Sequence, residues 1–220
     1  MKNEKIYIPG YYPDLLDKIK LTSANIYEII EPYRLFFSQT RNRSVEWEIK
    51  FPMFVNAFYD YIIKYSTIPA QQPFFDYYLS FNKAFFDEKN FDAAILDGLK
   101  ARVFRTYPSL VRDVYFNKYV KENLLDINVI YNITLDISEG IDLMIEAGTI
   151  FYAVNLYTRT SRACDARNIK QNRHQPFVNV NYIDLPVDLN NNLRCGDFFL
   201  YGCSEFASIK KHITINLFRV

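Results

Sequence analysis

Two polar residues, Asp142 and Asn155, lie on consecutive strand-like stretches in the second half of the chain. Residues 141–147 and 150–158 are rich in β-branched and aromatic residues, and the Ala-Gly-Thr sequence between them is typical of a tight turn. With a two-residue loop at 147–148, Asp142 and Asn155 become diagonal neighbours on one face of the hairpin, because side chains alternate along each strand. The pattern predicts that a carboxylate and an amide converge on one face of a sheet.

The order of elements from residue 101 to residue 185 is helix, three strands, helix and a further strand, with Gly140-Ile141-Asp142 opening the second strand. This order resembles the PD-(D/E)xK nuclease-like superfamily, whose members place an Asp on one strand and acidic-x-Lys on the next. The resemblance gives Asp142 the first role and puts Asn155 and Tyr157 at the acidic and Lys positions. It implies a restriction-endonuclease-like α/β fold with a mixed sheet, and a metal-dependent DNA endonuclease or a catalytically degenerate relative.

Hydrolysis of a phosphodiester needs a divalent cation that polarises the phosphate and activates water, and Mg²⁺ is held by oxygen ligands. A nearby Lys stabilises the developing negative charge. Asn155 carries no charge and Tyr157 is not a cation, so the resemblance implies additional residues. The predicted metal ligands are Asp142, Glu139 and Glu146, and the predicted catalytic residues are Asp142, Asn155, Tyr157 and Lys170. The alternative interpretation is that Asp142 and Asn155 are ordinary polar positions on a half-exposed sheet.

The segment from residue 159 to residue 174 contains five basic residues and one acid. If this segment is a helix, with about 100° per residue, most of its positive charge lies on one face within an arc of about 140°. That face consists of Arg159, Arg162, Arg167, Lys170, Arg173 and His174. Because Arg binds phosphate oxygens through two parallel hydrogen bonds, the face predicts binding of DNA or RNA. A solvated helix face is the alternative interpretation.

The first half of the chain is predicted to be helical and aromatic-rich over residues 1–100, followed by an α/β core over 101–220. Within the first half, 45–51 alternates apolar and charged residues, which predicts a strand. Gly98 or Pro108 is expected to interrupt the helical pattern of 91–121. The many Phe and Tyr residues are expected to pack in a core. An exposed aromatic patch would instead bind a protein, which gives the alternative function of a non-enzymatic interaction or regulatory subunit.

Composition excludes several classes of protein. The 220 residues are 50% hydrophobic with a net charge of +1, which excludes a disordered tail and a histone-like polycation. A secretory signal and a run of 18 apolar residues are not evident, so a cytoplasmic protein with no membrane span is expected. Further strands are predicted over 178–185, 196–201 and 212–218. A zinc site of Cys195, Cys203 and His212 lacks the usual short ligand spacing.

Overall fold

A mixed sheet of four strands forms in the second half of the chain. In the computed structural model, which describes residues 4–158, 175–189 and 193–217, the strands are β1 (Asn128–Ile130), β2 (Leu143–Ala147), β3 (Ile150–Thr158) and β4 (Val180–Val187). They are arranged in the order β1-β2-β3-β4, with two antiparallel pairs followed by a parallel pair. The predicted α/β class with a mixed sheet is therefore confirmed.

The turn between β2 and β3 differs from the prediction by its register. Ala147 pairs with Ile150, so the loop consists of Gly148 and Thr149 instead of residues 147 and 148. Gly148 has a φ of +63°, in the left-handed region that glycine enters without a Cβ clash. The register moves by two residues, and because the side-chain period of a strand is also two, every side chain keeps its predicted face.

Both faces of the sheet are covered. On one face, Met144 and Ala153 pack in a buried cluster with Tyr7, Ile130 and Phe177. The opposite face carries another set of buried side chains: Val129, Ile145, Tyr152, Val154 and Ile183. Burial on both faces explains why β2 and the middle of β3 are almost continuously apolar in sequence.

Of the described α-helices, five precede the strands in the sequence and one follows them. They are α1 (Ser23–Ile30), α2 (Phe54–Tyr65), α3 (Gln71–Phe81), α4 (Lys83–Lys89), α5 (Ala93–Asn123) and α6 (Cys203–Leu217). Three short helical turns cover Leu16–Lys18, Ser44–Glu48 and Leu135–Glu139, and a small hairpin is formed by β5 (Leu193–Cys195) and β6 (Phe198–Leu200). The strand predicted over 212–218 is wrong, because α6 covers most of it. None of the helices that the model describes is long and apolar enough to cross a membrane.

The chain divides into two compact units. The sheet unit contains Met1–Lys18, Tyr115–Leu193 and Leu200–Val220, and the helical unit contains Ile19–Val114 and Arg194–Phe199. One change between these units falls between Val114 and Tyr115, inside α5, and the sequence-based boundary after residue 100 stays a prediction.

The pattern of residues 45–51 does not produce a strand. Ser44–Glu48 forms a π-helical turn, which ends where the N–H of Ile49 donates to the carbonyl oxygen of Ser44 at 2.8 Å. In this turn Val45 is buried, whereas Trp47 is exposed. Alternation over seven residues is compatible with a strand, but a strand also needs a partner edge, and no described strand pairs with this segment.

The expected break in the long helix does not occur either, since α5 runs through both Gly98 and Pro108. Gly98 is a point of close approach: a Cβ atom there would lie 2.6 Å from the Cβ of Asn42. Pro108 removes the N–H that would bond to the carbonyl oxygen of Phe104, and the buried amide of Gln71 donates to that oxygen at 3.0 Å instead. A side chain from another helix thus replaces the missing hydrogen bond.

The prediction that the aromatic residues pack in a core holds for part of the helical unit, in which eight aromatic side chains are buried: Phe58, Tyr59, Phe74, Phe75, Tyr78, Phe104, Tyr107 and Phe198. Phe58 packs edge-on against Phe74 and Tyr107, with ring centroids 5.2 and 6.2 Å apart, and Tyr107 also contacts Phe198. Six aromatic side chains of this unit are instead exposed to solvent: Phe36, Phe37, Trp47, Tyr65, Phe81 and Phe199.

Candidate functional site

Asp142 lies immediately before β2 and is held by the backbone of β3. Its N–H donates to the carbonyl oxygen of Val154 at 3.0 Å, and its carboxylate Oδ2 accepts from the N–H of Leu156 at 2.7 Å. β3 extends beyond the last residue pair of β2, so the carboxylate takes the place of a backbone partner there. Leu143 pairs with Val154, so the preceding Asp142 lies opposite Asn155. The prediction had placed these two residues diagonally.

Asn155 lies at the centre of this site and is only 2% exposed. Its Nδ2 donates to Oδ1 of Asp184 at 3.0 Å, and the two residues are register partners in the parallel β3–β4 pair. Its side-chain carbonyl Oδ1 is buried and has no hydrogen-bond partner among the described residues. A buried polar atom without a partner is costly, so it is expected to bind a donor or a cation.

Asp184 is a member of the site that the sequence interpretation missed. It is exposed and lies between Ile183 and Leu185, which are both buried. In the sequence, the alternation of apolar and polar residues indicates a strand with an acid on one face, and this pattern was the signal for Asp184. The signal could not be used from sequence, because the register of a parallel pair is not set by a short turn. In the folded sheet, Asp184 adds a carboxylate beside the uncharged Asn155.

The other two predicted metal ligands have different partners. Glu146 accepts hydrogen bonds from the hydroxyl of Tyr7 at 2.8 Å and from Nδ2 of Asn128 at 2.7 Å. Burial and the bond to Glu146 raise the pKa of Tyr7. Glu146 shares a face with Asp142 but is four residues away along the strand, about 13 Å. Glu139 forms an ion pair with Lys5.

These contacts do not bring Glu139 and Glu146 together with Asp142. Residues 4–158, 175–189 and 193–217 contain no group of three or more His, Cys, Asp or Glu side chains that could hold a metal ion. A metal site at Asp142 would therefore have to combine carboxylates with another kind of oxygen ligand.

Tyr157 is two residues beyond Asn155 on β3 and pairs with Pro186 of β4. It shares the face of Asn155 and is half-buried. The remaining predicted site residues lie outside the described residues: Arg159, Arg162, Arg167, Lys170, Arg173 and His174. Their predicted roles in catalysis and in nucleic-acid binding stay predictions.

Comparison of this chain with known proteins gave no match. The chain matched no protein-family model, no curated protein and no solved structure.

Proposed function

We propose that this protein is a metal-dependent nuclease of the PD-(D/E)xK-like kind, with a site formed by Asp142, Asn155 and Asp184. The observation that carries the proposal is the buried Oδ1 of Asn155, which lacks a hydrogen-bond partner among the described residues. This oxygen lies on the middle one of three adjacent strands whose neighbours each contribute a carboxylate.

The donor set fits Mg²⁺ or Mn²⁺ by its chemistry. Mg²⁺ is usually held by one or two carboxylates together with water and substrate phosphates. Asp142 and Asp184 supply two carboxylates, and Asn155 supplies a neutral carbonyl oxygen. A bound divalent ion would polarise the phosphate and lower the pKa of the attacking water. Asp184 would thus provide the charge that the acidic-x-Lys position lacks in this sequence.

The protein orients these ligands through hydrogen bonds. The Nδ2 of Asn155 is engaged by Asp184, which directs the opposite atom, Oδ1, away from that contact. The carboxylate of Asp142 is positioned by the N–H of Leu156. The first constraint is a side-chain contact between β3 and β4 and the second comes from the β3 backbone, so the ligands are preorganised on regular elements.

Charge along the sequence supports nucleic acid as the substrate. The basic residues of 159–174 directly follow β3, which carries Asn155. Arg and Lys in such a segment would contact phosphates without reading the base sequence, and this binding would weaken as salt increases. The mixed sheet, with β4 parallel to β3, is also compatible with the resemblance that suggested a nuclease.

A cleavage assay tests the proposal. Single- and double-stranded DNA and RNA are incubated with the protein and Mg²⁺ or Mn²⁺, and we expect cleavage that EDTA abolishes. Asp142→Ala and Asp184→Ala should each lower the rate at least about tenfold, because each removes a ligand. Asp188→Ala, at an exposed position just beyond β4, is the matched control.

Cleavage that persists in both variants would contradict the assigned site. Salt-dependent binding without cleavage would contradict the nuclease and leave a catalytically degenerate nucleic-acid-binding relative. Neither binding nor cleavage would favour the alternative function of an interaction or regulatory subunit.

A further inference from the structure

Three large aromatic side chains of the helical unit are exposed within a single stretch of chain. Phe36 is 67% exposed, Phe37 is 58% exposed and Trp47 is 78% exposed. All three lie in residues 33–48, which we call the aromatic segment. Most other aromatic residues of this unit are buried or half-buried, so three exposed rings in one stretch of chain indicate a binding surface.

The backbone of the aromatic segment is fixed by side chains of the same unit. Gln71, which is buried, accepts from the N–H of Phe36 at 2.7 Å and donates to its carbonyl oxygen at 3.2 Å. Asp197 accepts from the N–H of Leu35 at 3.0 Å, and Arg105 donates to the carbonyl oxygen of Thr40 at 2.7 Å. The exposed rings are therefore presented on a preorganised main chain, which lowers the entropy cost of binding.

A cavity of about 420 Å³ opens beside Phe36 and Phe37. Its apolar walls include Phe36, Phe37 and Phe104, and its polar walls include Asp97 and Lys100. The Nζ of Lys100 lies 5.5 Å from the ring centroid of Phe104. The volume falls within the range of pockets that hold small organic groups and is large enough to admit a nucleobase.

The charge of the aromatic segment favours a polyanion. Residues 33–48 contain three exposed arginines, Arg34, Arg41 and Arg43, and two acids, of which Glu46 forms an ion pair with Arg105 outside the segment. Arg41 has no ion-pair partner among the residues described. Arg43 forms one ion pair, with Glu48 at 3.5 Å, between two exposed side chains, and such pairs are weak.

We propose that the aromatic segment binds single-stranded nucleic acid, with a base stacked on Phe36 or Phe37 and phosphates bound by Arg34 and Arg41. Exposed rings interleaved with positive charge are the arrangement that proteins use for single strands. In a duplex the base faces are already stacked and are not accessible to these rings. The proposal concerns the helical unit and goes beyond cleavage at Asp142.

The single Trp of the chain provides the readout, because Trp47 belongs to the aromatic segment. The full chain is titrated in EDTA and about 20 mM salt with an oligothymidylate of about 15 nucleotides. Binding is followed by Trp47 fluorescence and by anisotropy of a labelled oligonucleotide. We expect quenching of Trp47, and a dissociation constant raised about tenfold or more in the double variant Phe36→Ala/Phe37→Ala.

Phe81→Ala is the matched control, since Phe81 is another exposed aromatic residue of the helical unit and lies on α3. Its affinity should equal that of the wild type. The triple variant Arg162→Ala/Arg167→Ala/Arg173→Ala separates any contribution of residues 159–174, and quenching of Trp47 should persist in it.

Unchanged affinity in the double Phe variant would overturn the proposal, as would binding that leaves Trp47 fluorescence unaltered. A chain that does not bind the oligonucleotide at low salt would also overturn it and would favour a partner protein as occupant. Because EDTA prevents metal-dependent cleavage, these outcomes are independent of whether Asp142 supports catalysis.

Discussion

Gln71 donates its side-chain amide to the carbonyl oxygen of Phe104 at 3.0 Å, four residues before Pro108. This is the carbonyl that loses its helical partner because proline has no N–H. The same side chain bonds to both backbone polar groups of Phe36. One buried amide therefore sustains α5 across a proline and fixes the segment that presents Phe36 to solvent.

Replacing Gln71 should destabilise the helical unit. In Gln71→Leu, the carbonyl oxygens of Phe104 and Phe36 and the N–H of Phe36 lose their partners, and we expect a loss of about 2–3 kcal/mol in the free energy of unfolding. Urea denaturation measures this loss. Gln72→Leu, at the exposed neighbouring position, should change it by less than about 0.5 kcal/mol. Equal effects of the two substitutions would show that the contacts of Gln71 contribute little.

Asn155→Asp should couple stability to metal. The introduced carboxyl would lie about 3 Å from the carboxylate of Asp184, and repulsion would raise its pKa above that of an unfolded Asp. A raised carboxyl pKa means that the folded state binds more protons, so stability without metal should fall as pH rises above about 4.

Bound Mg²⁺ should relieve this repulsion. The melting temperature of Asn155→Asp is expected to rise with Mg²⁺ at pH about 8, by more than that of the wild type. Asn181→Asp, at an exposed position on β4, is the control and should not show this gain. If Mg²⁺ stabilised the wild type, Asn181→Asp and Asn155→Asp equally, the assigned ligand position would be wrong.

Gly196 should tolerate alanine less well than Gly148. Both glycines have a positive φ, +54° and +63°, which costs alanine about 1–2 kcal/mol. At Gly196 a Cβ would also overlap the carbonyl oxygen of Glu31, whereas the space around Gly148 is open. We expect a loss of about 1 kcal/mol for Gly148→Ala and about 2–4 kcal/mol for Gly196→Ala in chemical denaturation. A larger effect at Gly148 would contradict the close approach.

The thiols of Cys195 and Cys203 should react at different rates. Burial, with a smaller contribution from the charge of Glu31, raises the pKa of Cys195 to about 11. Cys203 is exposed. Because the thiolate is the nucleophile, iodoacetamide at pH about 8 should label Cys203 and spare Cys195, as read by peptide mass spectrometry.

In urea both cysteines should be labelled, which serves as the control. Because the pKa of Cys195 is higher in the folded than in the unfolded chain, the unfolded chain loses the thiol proton first as pH rises. The contribution of Cys195 to the free energy of unfolding should therefore decline between pH about 9 and about 11. Similar labelling of the two thiols in the folded protein would contradict the burial of Cys195.

The amino-acid sequence determined the features that depend on local pattern. β3 was predicted with its observed bounds, and the shared face of Asp142 and Asn155 followed from strand alternation. A shift of two residues in the hairpin register left that face unchanged. Alternation also indicated a strand at residues 45–51, where the chain instead forms a π-helical turn, because pattern alone does not supply a strand partner.

Tertiary structure decided the features that depend on distant partners. Pro108 stays inside a helix because Gln71, 37 positions earlier in the sequence, replaces the missing donor. Asp184 joins Asn155 because β3 and β4 pair in parallel, and the register of such a pair depends on how the two strands pack instead of on a short turn. Alternation fixes which face a side chain occupies, whereas only the assembled sheet fixes which side chain lies next to it.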